Sequence, residues 1–261
     1  MKIAVLVKQV PDHEAIIRID SENSLDIEDR YVCSFFDEIA IEAALNLKNK
    51  HSESEITAFS AGGKKAVDAL RRALSMGVDS VIHLGDDGLN EADDQFKAEV
   101  LSNKIQEYSP DIILCGKQAG DDDMAAVGPM VAEFLDIPHV SAAVSLEPLS
   151  DSSKVQIGRS LEGEVWTLEA KLPVLISAEK GLAEPHVPAV TKVMKAMKTK
   201  IENISLTDLG LEQGERLLTR KRFVGPPVRP EVKMFDDPFP DNVTQLIGCL
   251  QEKGLLTKVE D

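Results

Sequence analysis

Two periodicities alternate along the first half of this chain, and that alternation leaves it one fold class. Ile3-Ala4-Val5-Leu6-Val7 is an unbroken apolar run with β-branched members, the pattern of a strand buried on both faces. Residues 37–48 then carry Ile39, Ala40, Ala43, Ala44 and Leu47 at helical spacing, with Asp37 placed to cap the start. The cycle repeats with a strand over 56–60 and a helix over 64–76 that Gly77 stops. A strand over 81–84 and a helix over 95–108 follow, then a strand over 111–115 and a helix-compatible run over 124–135, where Pro129 would kink a helix begun at Met124 but fits one begun near Gly128. This predicts a doubly wound α/β fold, with a mostly parallel sheet, helices on both faces and right-handed crossovers. Aromatic residues make up only 4% of the chain, so Val, Ile, Leu and Ala must fill the core, as suits a helix-covered parallel sheet.

Beyond residue 140 the pattern changes. Short apolar segments at 140–144, 155–157, 165–168 and 174–176 are punctuated by Gly158, Gly163 and a turn at Asp151-Ser152-Ser153, which predicts an antiparallel extension of the sheet. Residues 16–19 and 25–27 pair as a hairpin arm. Pro11 breaks the chain after the first strand and leaves residues 8–12 as a loop on the ligand side. Residues 181–188 hold Pro185 and Pro188 and read as an exposed loop, followed by a basic, Met-containing run over 191–198. Residues 219–240 are proline-rich and aperiodic, as in an extended arm, and a helix over 242–253 ends it. The expected division is a nucleotide-binding α/β domain with its antiparallel extension over 1–190, and a second part over 191–261.

Composition removes several functions. A net charge of −16 argues against nucleic acid and against an anionic membrane surface. Cys33, Cys115 and Cys249 are far apart and odd in number, so they give neither a disulfide framework nor a metal spacing. The chain enters its first strand at once, and no apolar run approaches the length of a membrane span, so a cytoplasmic protein is expected. His83 sits among apolar neighbours and reads as a hydrogen-bonded structural histidine.

The stretch Gly116-Lys117-Gln118-Ala119-Gly120-Asp121-Asp122-Asp123 leaves the fourth strand and feeds a helix. In an open α/β sheet that is where ligands sit. Unpaired N–H groups and the helix dipole there favour a phosphate, Gly116 and Gly120 let the backbone come close, and Lys117 adds a positive charge. Three adjacent aspartates oppose an anion. They either cap the helix and face solvent, or hold a cation.

Catalytic motifs are missing from the sequence. There is no G-x-G-x-x-G after a strand, no Walker A motif and no G-x-S-x-G elbow, and the five histidines make no ligand spacing. No catalytic residue and no metal ligand is assigned. A nucleotide-shaped fold without catalytic apparatus points to a carrier or binding module. A nucleotide-hydrolysing or adenylating enzyme, and a self-associating nucleotide sensor, are the rivals.

Several motifs carry a resemblance to the β subunit of electron-transfer flavoproteins. They are Lys8-Gln9-Val10-Pro11-Asp12, the segment from Asp37 to Ala44, Arg72-Ala73-Leu74-Ser75-Met76-Gly77, and the Gly116 loop. The stretch Ile157-Gly158-Arg159, the turn Glu162-Gly163-Glu164 and Pro173-Val174-Leu175-Ile176-Ser177 also resemble the family, and Trp166 and Thr167 depart from it. The resemblance implies an electron carrier, not an enzyme, paired with an α subunit that holds a redox-active FAD at the interface, around which residues 191–261 would wrap. It implies AMP, or in electron-bifurcating members a second FAD, in a pocket of this chain. The matching pocket positions are Leu6, Ser34, Phe35, Phe36, Asp37, Ala61, Gly116, Lys117, Gln118, Ala119, Gly120, Asp121, Asp122, Asp123, Met124, Ala125, Ala126 and Val127. His13 and Phe36 match positions facing the α-subunit flavin. Glu184, Pro185 and Val190 match the segment that docks acyl-CoA dehydrogenase-type flavoenzymes, and the acceptor would be a quinone oxidoreductase or a ferredoxin.

Overall fold

The computed structural model describes residues 1–21, 24–149, 153–212, 216–218 and 221–256. Two compact units divide it, Met1–Phe223 and Val224–Asp261. In chain order the first unit runs β1 (Lys2–Leu6), β2 (Gln9–Pro11), β3 (Ile17–Ser21), β4 (Ser24–Ile27), β5 (Tyr31–Cys33) and α1 (Phe35–Lys50). It continues with β6 (Glu55–Gly62), α2 (Val67–Met76), β7 (Ser80–Gly85), α3 (Asp94–Tyr108), β8 (Ile112–Gly116) and α4 (Val127–Phe134). Next come β9 (His139–Pro148), β10 (Lys154–Leu161), β11 (Glu164–Lys171), β12 (Val174–Ala178), α5 (Val190–Lys198) and β13 (Asn203–Ile204). The second unit contains α6 (Asp241–Glu252), none of whose residues is buried and whose Val243, Leu246 and Ile247 are exposed.

A nine-stranded sheet in the order β11-β10-β9-β12-β8-β1-β6-β7-β13 organises the first unit. β1 lies inside it, parallel to β6 on one side and to β8 on the other. Side chains alternate across β1, as strand geometry requires. Ile3, Val5 and Val7 enter one core with Ile39, Ala40, Ala44, Leu70 and Ala73 from α1 and α2. Ala4 and Leu6 enter the other with Phe96, Leu101 and Ile105 from α3 and Val131 from α4. Both faces are covered, which is the doubly wound α/β arrangement. The chain moves outward from β1 through β6 and β7, then returns to β8 on the far side. That reversal makes the β1–β8 gap the topological switch point, where such sheets bind ligands.

Several details depart from the sequence reading. Pro11 takes part in a short antiparallel ladder opposite Tyr31, in a two-stranded sheet where its missing N–H can face away from the partner. The antiparallel extension comprises β9, β10 and β11, whereas β12 runs parallel between β8 and β9. Residues 64–66 form a 3-10 turn ahead of α2, and Gly77 closes that helix at φ 125°. Of the two starts that Pro129 leaves open, α4 takes the later, at Val127, so Pro129 falls in the first turn, where its missing N–H costs no helical bond. The β3–β4 hairpin forms as expected. The two-residue β13, paired with β7, is too short to carry a period and was not foreseen. Of the turn at Asp151-Ser152-Ser153, the first two residues lie outside those described.

Candidate functional site

At the switch point one buried carboxylate joins three elements. Asp37 lies in the first turn of α1, where a negative charge meets the positive end of the helix dipole. It does not cap the helix, since the N-cap position is Ser34, which makes no side-chain cap bond. Instead Asp37 Oδ2 accepts the Lys8 N–H at 2.8 Å and Oδ1 accepts the Gly116 N–H at 2.8 Å. The carboxyl ends of β1 and β8 are thereby tied across the gap that a ligand would enter. Burial is the largest influence on Asp37 and raises its pKa to about 7, against the opposing pull of both N–H bonds and of the Lys8 charge. Gly116 is required here, because a Cβ at that position would stand 2.5 Å from Asp37 Oδ1 and 2.7 Å from Phe36 Cβ. Gly120 faces open space and needs no such explanation.

The loop from Gly116 to α4 uses its charges internally. Lys8 Nζ contacts Asp121 Oδ1 and Asp122 Oδ2, each at 2.7 Å. Burial disfavours the Lys8 cation, but these two carboxylates outweigh it and raise its pKa. Asp122 also accepts the Met124 N–H at 3.1 Å, and Asp123 accepts from Gln118 Nε2 at 2.8 Å. The aspartates therefore hold the Lys8 cation and brace the loop, and none caps α4, whose N-cap is Ala126 without a side-chain bond. Lys117 Nζ pairs with Glu179 and stands 5.3 Å from the Phe36 ring centroid.

The backbone between Asp123 and α4 is unusual. Asp123 and Ala125 both hold φ at 52°, and Ala126 follows at φ −99°, ψ −44°. Left-handed backbone at a residue with a Cβ is costly and clusters at functional sites. Alternation of left- and right-handed residues gathers successive N–H groups into an anion-binding concavity. Among the described residues, no acceptor takes the N–H groups of Ala125, Ala126 or Val127. The start of α4 thus presents unpaired donors at the carboxyl edge of the sheet, with Met124, Ala125 and Ala126 as an apolar rim.

The remaining positions sort by exposure. Leu6 and Ser34 are buried beneath the crevice, and Ser34 Oγ is enclosed without a partner among the described residues. Ala61 is half-buried near the carboxyl end of β6. Phe35 is 57% exposed and packs edge-on to Phe36 at 5.5 Å between centroids. His13 is exposed in the turn after β2, with Nδ1 3.3 Å from Asp12. His83 is buried with Nε2 3.2 Å from the Gly62 carbonyl oxygen, and burial lowers its pKa. A cavity of about 220 Å³ adjoins the loop on its β12 side, lined by Lys117, Gln118, Ala125, Pro129, His139, Ser141, Ala142 and Ser177.

Glu184, Pro185 and Val190 are not in the crevice. They lie on the segment after β12 and at the start of α5, on the flank formed by α1 and α2. His186 anchors that segment through Nδ1, 2.6 Å from Glu42 Oε2 on α1. Arg71 of α2 donates through Nη1 to the carbonyls of Ala196 and Met197, both at 2.7 Å, and so closes the carboxyl end of α5. Val190 is the first residue of α5 and is 74% exposed.

Lys97 was missed by the sequence reading. It lies in the first turns of α3, half-buried, among charges from Lys8, Asp94, Asp121 and Asp122. A lysine in a helical pattern gives no sign of facing inward, and only the packing of α3 beside the loop shows it.

Comparison with known proteins gives a consistent result. A family model described as the electron transfer flavoprotein domain matches residues 26–209. The electron transfer flavoprotein subunit beta of Bacillus subtilis (strain 168) is 33% identical, over 97% of this chain and 99% of that protein. The Megasphaera elsdenii protein of the same description is 36% identical over 100% of this chain and 93% of its own length. The Homo sapiens protein is 35% identical over 83% of this chain and 86% of its own.

Proposed function

The chain belongs to the electron transfer flavoprotein β-subunit family, and from that premise we propose that it is the nucleotide-holding half of a heterodimeric electron carrier. Its partner is an α subunit bearing a redox-active FAD. Electrons arrive from acyl-CoA dehydrogenase-type flavoenzymes and leave to a quinone oxidoreductase or a ferredoxin, and the pair works in the cytoplasm. The observation that carries the reading is the family match over residues 26–209, which takes in every strand of the large sheet except β1.

The residues at the switch point fit an adenine nucleotide. The unpaired N–H groups at Ala125, Ala126 and Val127 suit a phosphate, and the positive end of α4 adds to them. Gly116 opens the floor and Asp37 fixes its width. The nucleotide is AMP or the adenylate half of a second FAD, and a second flavin would make the heterodimer a splitter of electron pairs. Flavin bound to the family supplies the redox chemistry, while this chain's residues hold, orient and shield it. Phe36, with His13, would form the wall toward the α-subunit flavin.

Residues 184–190 and α5 dock the donor enzyme, with Val190 as the apolar anchor. Residues 191–261 include the arm that wraps the α subunit. Acid extraction of the purified chain followed by chromatography tests the pocket. AMP or FAD in stoichiometric amount is expected, and a chain that carries and binds neither contradicts it.

A further inference from the structure

We propose that Lys97 of α3 is the side-chain contact for the phosphate of the nucleotide held at the β1–β8 switch point. This rests on the nucleotide reading above and adds to it a cation that neither the sequence nor the family match assigns.

Two lysines stand beside the Gly116–Val127 loop, and they differ in how their charge is answered. Lys8 is spent, with Asp121 and Asp122 each 2.7 Å from its Nζ. Lys97 is half-buried on the neighbouring helix, yet among the described residues no carboxylate comes within ion-pair distance of it. Its surroundings are Lys8, which repels it, and Asp93, Asp94, Asp121 and Asp122, of which Asp93 accepts the N–H groups of Phe96 and Leu217 and the last two are engaged with Lys8. A partly buried ammonium beside a second cation is held at a cost. Burial, followed by the Lys8 charge, lowers its pKa accordingly.

Packing explains how Lys97 comes to face this way. Phe96, Ala98, Val100 and Leu101 bury the inner side of α3 in the core shared with Val131 of α4. Position 97 is left at the edge of that contact, in the first turns of α3. α3 and α4 both begin at the carboxyl edge of the sheet, so Lys97 shares that edge with the unpaired donors of Ala125 to Val127. An anionic ligand would answer its charge, and a lysine there acts as a point charge on a phosphate.

The test uses the full chain stripped of nucleotide, with AMP and adenosine as probes, titrated by calorimetry at neutral pH. Wild type should bind AMP more tightly than adenosine. Lys97→Met should weaken AMP at least tenfold while leaving adenosine within twofold, and Lys97→Arg should restore most of the preference. Lys97→Gln serves if the Met variant fails to fold. Equal AMP affinity in wild type and both neutral variants would overturn the Lys97 contact and leave the nucleotide reading standing. A wild-type chain that binds neither probe would overturn both.

Discussion

Asp37 Oδ1 accepts the backbone N–H of Gly116 at 2.8 Å, a bond between residues 79 positions apart that fixes the floor of the switch-point crevice. Its other oxygen holds the N–H of Lys8, so one carboxylate sets the separation of β1 and β8 at their carboxyl ends. Gly116→Ala should therefore be destabilising by about 1–3 kcal/mol, the usual range for overpacking. The added Cβ would meet Asp37 Oδ1 at 2.5 Å and could not be relieved without moving α1. Urea unfolding checks this, and Gly120→Ala, which meets nothing within 4 Å, is the neutral control.

The same carboxylate makes stability depend on pH. The folded pKa of Asp37 is about 7, above the usual carboxylate value, so the native state binds the extra proton between about pH 4 and 7. Its contribution is then fully present below about pH 4 and is lost as pH rises through 7. Asp37→Asn removes this titration and sets an amide donor against one of two N–H donors. The stability of wild type relative to Asp37→Asn should fall by up to roughly 4 kcal/mol from pH 4 to pH 8. A difference that stays flat across that range would show that Asp37 titrates normally.

Val190→Asp should abolish most dehydrogenase-dependent electron transfer while leaving nucleotide content intact. At 74% exposure the side chain contributes little to folding, so stability should stay within about 0.5 kcal/mol of wild type. A charge placed in an apolar contact is costly only when a partner covers it. Transfer rates measured at limiting carrier check the effect, and unchanged rates would remove Val190 from the docking surface.

Arg71→Ala should loosen α5 without disturbing the crevice. The guanidinium bonds two carbonyls at the helix end at 2.7 Å and a third, Thr199, at 3.3 Å. Charge-assisted bonds of this kind contribute roughly 1.5–3 kcal/mol. Amide hydrogen exchange should rise over 190–199 and remain unchanged over 112–127. Equal protection in both proteins would mean that packing against α2 alone holds α5.

Much of the fold was legible because the apolar periods are strong. The runs at Ile3 and Ile56 and the helical stripe at Ile39 to Leu47 gave the parallel sheet and its covering helices. The sequence leaves the start of α4 open between Met124 and Gly128, because Met124, Ala125 and Ala126 are good helix formers, and only the positive φ of Asp123 and Ala125 keeps them out of the helix. Asp37 looked like a cap by its position, and its bonds to residues 29 and 79 positions away could not be read locally. For the three aspartates the sequence leaves capping and holding a cation both open, since the cation that Asp121 and Asp122 hold is Lys8, 113 and 114 positions away, while Asp123 pairs with Gln118. β12 has the length of a hairpin strand, and its parallel place between β8 and β9 depends on pairing that no local pattern encodes.

The most direct test of the account is isolation of the chain under an affinity tag from its own cells, followed by a subunit and flavin count. The account predicts a one-to-one complex with a second, larger subunit, coloured by bound FAD, and AMP or a further FAD released on acid extraction. A colourless chain that isolates alone and turns over ATP without flavin or partner would contradict it.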